Sequence, residues 1–166
     1  MADRSGTIAA ADSEQAVHSM SLIQWPGDLL IGHSAVDDDH RHLVEIINKL
    51  AEAHAAGRQS GLIGEILSEL ADYTAAHFER EERFMERVRY PGIDEHRLNH
   101  SQLIGSLSRI IYDFEMGRPV DQPLLDFLRH WLTDHIMRFD KRLAAYTVDQ
   151  IPTEAEGEAL PDPAVA

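Results

Sequence analysis

The sequence contains no cysteine. That absence removes disulfides, thiolate-bound zinc, iron–sulfur clusters and cysteine nucleophiles from consideration. It also suits a reducing cytoplasm, the expected location. No apolar run reaches the roughly 18–20 residues that span a bilayer. The opening MADRSGTIAAADSEQAVHSM has no apolar core flanked by positive charge, so it does not read as a secretory signal. Basic residues are scarce, 15 Lys and Arg against 29 Asp and Glu, a formal charge of −14. Nucleic acid is gripped through clustered Lys and Arg, so it is not an expected partner. An anionic membrane surface would repel such a chain.

Histidine, by contrast, is abundant: there are ten in 166 residues. A chain of this length, 43% hydrophobic, can bury one core, and the expected organisation is a single domain with tails. Residues 1–21 read as a flexible N-terminal extension and residues 147–166 as an acidic, disordered C-terminal tail. Between them, 22–146 carries four stretches of helical periodicity and no sustained strand-type alternation.

The first helix should begin near VDDDH, with Asp37 or Asp38 as its cap, and end near Gly57. Its stripe is His40, Leu43, Ile47, Leu50 and His54. The second runs from about Leu62 to Val88, with Leu70, Tyr73, His77, Glu81 and Phe84 aligned, and YPG at 90–92 breaks it. The third spans about Ile93 to Met116 with His96, His100, Leu103, Leu107 and Phe114, ended by GRP at 117–119. The fourth spans about Gln122 to Tyr146 with Leu128, Leu132, His135, Ile136 and Phe139. Short links between long amphipathic helices imply antiparallel neighbours. The expected fold is therefore all-α, an up-down-up-down antiparallel four-helix bundle.

Each helix places metal-capable residues on the face it should bury: His40; His77 and Glu81; His96 and His100; His135, with Asp140 just beyond. An i,i+4 pair differs by only about 40° around a helix, so both members aim at one point. His135 and Asp140 are five apart, about 140° around a regular helix, and should flank the stripe on opposite sides. Buried without partners, such groups would cost several kcal/mol each. Five imidazoles and two carboxylates exceed a zinc site's three or four ligands and suit two adjacent first-row ions of the non-haem iron type. The positions also fall at one level of an antiparallel bundle: early, late, early, late. The other histidines, His18, His33, His42, His54 and His130, read as helix-end or partly exposed residues. In EREERFMER, 79–87, only Glu81 should face inward.

These segments resemble the hemerythrin family, in particular its single-domain bacterial type. The likeness covers roughly 22–146 and rests on Trp25 and Gly32 ahead of VDDDHRHLVEIIN, on YTAAHFEREERFM, on YPGIDEHRLNH and on WLTDHIMRFD. It implies one iron held by His96, His100 and His135, and a second held by His40 and His77 with an open position. Glu81 and Asp140 would bridge the two beside an oxo or hydroxo group. It further implies reversible binding of dioxygen for storage, transport or delivery, without enzymatic turnover. Trp131, Leu132 and Ile136 would form the wall of the oxygen pocket. The Glu-x-x-His pairs typical of ferritin-like di-iron proteins are absent. Two rival expectations are a di-iron redox enzyme acting on peroxide or nitric oxide, and an oxygen or iron sensor working through a partner.

Overall fold

The computed structural model describes residues 21–25 and 27–148; the two expected tails lie almost wholly outside this range. Four long helical rods follow one another, and there is no strand among the described residues. They are α1 (Ser34–Ala55), α2 (Ser60–Arg87), α3 (Ile93–Glu115) and a fourth rod in three parts. That last rod is α4 (Gln122–His135), a π-helical turn (Ile136–Asp140) and α5 (Lys141–Val148). The all-helical bundle expected from periodicity is the fold.

Local chemistry sets the ends. At α1 the expected cap is corrected: the helix starts three residues before Asp37. Asp37 is buried in the first turn and accepts hydrogen bonds from the Ile31 and Gly32 amides (2.8 and 3.1 Å). It thus fastens the incoming segment, where Gly32 takes the left-handed φ of 84° that a Cβ would disfavour. Asp121 caps α4 conventionally, accepting from the Leu124 amide at 3.0 Å. The helix ends at Gly57 and Gly117 close through left-handed residues, with Arg58 N donating to Ala53 O and Arg118 N to Asp113 O. The α2 end uses the same device with Arg89 (φ 53°), and Tyr90 N donates to Met85 O.

One continuous core runs through the bundle, with Leu43, Ile47 and Leu50 of α1, Ile66, Leu67 and Leu70 of α2, Leu107 of α3 and Leu128 and Leu132 of α4. Trp25 packs the entering segment against it, as expected, and the Asn48 side chain pins that segment through two 2.9 Å hydrogen bonds with the Ile23 backbone. Helix α3 is the loosely packed member. Its Leu103, Ile110, Ile111 and Phe114 are only partly buried, and a cavity of about 660 Å³ lies between it and α4, lined by Ile110, Phe114, Val120, Leu124 and Phe127. Below the core and beyond the histidines, Met85, Tyr90 and Leu143 form a small second cluster that closes the other end.

Candidate metal centre

All seven residues singled out by type and spacing meet inside the bundle. His40, His77, Glu81, His96, His100, His135 and Asp140 are each at most 4% exposed. Asp140 lies at the middle. Its Oδ2 is 3.1 Å from His40 Nε2, while its Oδ1 is 3.1 Å from both His96 Nε2 and His135 Nε2. Glu81 Oε2 lies 3.2 Å from His100 Nε2 and 3.5 Å from His96 Nε2. His100 Nε2 and His135 Nε2 are 3.2 Å apart.

Those separations have a specific chemical meaning. Two donors at right angles on a first-row ion, each about 2.1 Å from it, lie about 3 Å apart. Most of these atoms are not hydrogen-bonded to one another: Nε2 of His40, His77 and His96 and both oxygens of Glu81 and Asp140 are buried without a hydrogen-bond partner. Buried polar atoms are normally satisfied, so a converging set of lone pairs fits a metal far better than a polar core. Glu81, His96, His100 and His135 each offer a ligand atom, all within 4.8 Å of one another. This is a non-haem metal site, and its donors, nitrogen and oxygen alone, suit first-row transition ions.

The π turn brings His135 and Asp140 together. In a regular helix these two residues would diverge, which was the expectation. The wider turn over Ile136–Asp140 pairs residues i and i+5 and brings both side chains to the same side. The flanking arrangement is therefore corrected, and the rod continues without a break.

Three imidazoles are oriented by residues that the sequence reading passed over. His77 Nδ1 donates to Asp39 Oδ2 at 3.3 Å, His100 Nδ1 to Glu82 Oε1 at 2.9 Å and His135 Nδ1 to Asn99 Oδ1 at 2.7 Å. An ionised carboxylate only accepts, so Asp39 and Glu82 keep the proton on Nδ1 and the Nε2 lone pair turned inward. Each brace sits beside a candidate ligand in sequence yet serves the ligand on the following helix. Asp39 of α1 serves α2, Glu82 of α2 serves α3, and Asn99 of α3 serves α4. Adjacency to a ligand was the signal that could have revealed them. Glu82 and Met85 also correct the reading of 79–87, because Glu82 too faces the site and Met85 is fully buried in the second cluster.

Asp39 is itself held by Tyr73 OH (2.7 Å) and by the Arg80 guanidinium through Nε (3.0 Å) and Nη2 (2.8 Å). Burial acts to raise its carboxyl, but the hydrogen bonds from His77, Arg80 and Tyr73 outweigh that and hold it well below the usual range. Burial and Asp39 together push the Tyr73 phenol up to about 12. Burial lowers the His77 imidazole and takes His100 to about 4. Both are thus kept neutral, the form that ligates. Burial, reinforced by Asp140, raises Glu81 to about 7. Burial also acts to raise Asp140, but His135, His40 and His96 prevail and it stays well below its ordinary value.

Around the cluster, Phe78 stacks on His100 (3.7 Å, 8°). Trp131, Leu132 and Ile136 are buried in the main core, and Trp131 shares with His135 a cavity of about 370 Å³ on the α3–α4 side. His33, His42 and His54 are partly exposed and His130 exposed, as expected. His130 is bonded to its own helix through Asp126 O (2.7 Å). His18 lies outside the described residues.

Residues 32–146 match the family model described as the hemerythrin HHE cation binding domain. The chain is 34% identical over 125 residues to a bacteriohemerythrin of Stenotrophomonas maltophilia, covering 75% of this chain and 81% of that protein. It is 35% identical over 121 residues to a bacteriohemerythrin of Pseudomonas aeruginosa, covering 73% and 78%. A crystal structure of wild-type hemerythrin aligns with a TM-score of 0.67 at 30% identity, over 75% of this chain and 96% of that one.

Proposed function

The chain belongs to the hemerythrin family, and we propose that it binds dioxygen reversibly at a pair of iron ions, as a store, carrier or delivery protein. The observation that carries this reading is the partition of donors about Asp140. One of its oxygens faces His40 and the other faces His96 and His135, which suits a carboxylate shared between two ions. Glu81 is the second candidate bridge, and an oxo or hydroxo group would complete the link. His96, His100 and His135 would hold one ion. His40 and His77 would hold the other, which would be short of protein donors.

When bound, such a pair supplies two electrons and an open coordination position to dioxygen. The chain's own contribution is orientation and dryness. Asp39, Glu82 and Asn99 fix three imidazole rings, and neutral histidines keep their lone pairs available. Trp131, Leu132 and Ile136 serve as the pocket wall that excludes water, a role supported by their burial beside His135. Five imidazoles to two carboxylates leave the metal charge less neutralised than a carboxylate-rich site would, which favours release over substrate oxidation.

The test is anaerobic loading with ferrous iron, exposure to oxygen and evacuation, followed in the visible spectrum with iron analysis. About two irons per chain and a spectrum that appears with oxygen and disappears under vacuum are expected. Irreversible bleaching, or rapid turnover of added peroxide or nitric oxide, would instead mark a redox catalyst.

A further inference from the structure

A cavity of about 420 Å³ between the start of α1 and the last turns of α2 reaches the His77 side of the candidate metal centre. Its floor includes His77 and Glu81, and its walls include Arg80, Arg83, Arg87 and His33. The three arginines recur at spacings of three and four and so form one ridge of α2, alongside the ridge that carries the candidate ligands. On a chain of formal charge −14 such a local concentration of cations runs against the overall composition.

The arginines differ in how firmly they are engaged. Arg80 is committed to Asp39 through both Nε and Nη2. Arg83 pairs with Glu79 one turn back, and both side chains are well exposed, a kind of pair that contributes little and exchanges readily. Arg87 lies over the Phe84 ring at 5.8 Å and has no carboxylate partner among the described residues. His33 stands against the same ring at 4.6 Å, and its Nδ1 is buried without a hydrogen-bond partner. Two guanidinium groups therefore line one recess, with the His33 ring beside them. The recess leads to the half of the centre that has two imidazoles rather than three.

We propose that this recess is an entry and binding vestibule for small inorganic monoanions, drawn in by Arg83 and Arg87, passed along the His33 ring and directed to the metal position beside His77. The proposal rests on the di-iron reading above. Asp39 also lines the recess but is paired with Arg80, and Glu81 lies on the metal side. Arg83 and Arg87 therefore set the sign of the outer part, and a cleft in which one sign prevails focuses the field and raises the local concentration of the opposite sign. Here it offsets the repulsion that the acidic surface would exert on an approaching anion. Dioxygen, being neutral, gains nothing from that field, so the vestibule affects one class of ligand and leaves the other alone.

Azide is the probe. With the oxidised, iron-loaded full chain, the azide association rate is measured by stopped flow at low and at physiological ionic strength. Arg83→Glu with Arg87→Glu should slow association about tenfold at low salt and flatten its salt dependence, with iron content unchanged. The milder Arg83→Gln with Arg87→Gln should give a smaller slowing of the same kind. A control of equal charge change on distant surfaces, Arg58→Glu with Arg109→Glu, should leave the azide rate close to that of the parent. The dioxygen association rate should be the same in all three variants and the parent. An unchanged azide rate in the vestibule variants, or equal slowing in the control, overturns the proposal. If azide behaves as expected while dioxygen is not released under vacuum, the dioxygen reading fails and the vestibule stands.

Discussion

Removing the charge of Glu81 should have opposite effects with and without metal. Its carboxyl is raised to about 7 in the fold, chiefly by burial, against about 4.5 when unfolded. Below pH 4.5 it is neutral in both states and costs nothing. As pH rises through 7 the folded chain must ionise a buried group, and stability is lost. Metal-free Glu81→Gln should therefore be more stable than the parent at pH 8, with the advantage gone below about pH 4.5. Metal-loaded, the order should reverse, because an amide is a poor bridge. Urea unfolding of both forms across that range checks it, and a Gln variant less stable than the parent in both forms would contradict the assignment. The braces give a second test. Asn99→Ala should weaken metal binding about 10- to 100-fold with the fold intact, as read by a chelator competition; unchanged affinity would show that His135 needs no such support. The residues that converge in the cluster were legible in the sequence because imidazoles are conspicuous on an apolar stripe. Asp39, Glu82 and Asn99 were not, since each looks like an ordinary polar neighbour until the facing helix is in place.

Among the elements, the π turn over Ile136–Asp140 was invisible to periodicity. A single wide turn shifts the pattern by one residue, and IMRFD contains no proline or glycine to mark it. Structurally it behaves as one residue added to a regular helix, which makes its removal informative. Deleting Met137, whose side chain is 47% exposed, should convert the turn to regular α-helix and set His135 and the following aspartate four apart. That register still aims both side chains inward. The deletion variant should keep about two metal ions per chain. Inserting an alanine after Met137 should rotate Asp140 away by about 100° and lower the metal content. Elemental analysis of the two, with circular dichroism to confirm folding, decides it; loss of metal in the deletion variant would mean that the wide turn itself is required. The helix boundaries were legible to within a few residues, with α1 the least accurate. There Asp37 fits the profile of a cap but serves the preceding segment instead.

At the scale of the whole molecule, up-down order followed from link lengths and is the order observed. The looseness between α3 and α4 did not follow. A stripe reading counts apolar residues on each helix without knowing which neighbour covers them, so the cavity beside Phe114 and Phe127 could not be anticipated. The hydrophobic core meets the candidate metal cluster at Phe78 and Ile136, but its far end lies well away from it. Leu50, fully buried, lies ten residues along α1 from His40, about 15 Å. Leu50→Ala should cost about 2–5 kcal/mol, and the cost should agree within about 0.5 kcal/mol with and without metal. Chemical denaturation of both forms measures it, and a marked difference would mean that the core and the cluster unfold as a single coupled unit.

The relay of braces also selects a chirality. Asp39 and Glu82 each lie one residue off a candidate ligand, about 100° around the helix, and each points toward the next rod only because the rods wind in the observed sense. The same four helices assembled in the mirror-image circuit would keep similar apolar contacts yet turn those carboxylates away from the imidazoles they hold. Hydrophobic burial alone discriminates weakly between the two windings, whereas the polar ring around the histidines accepts just one.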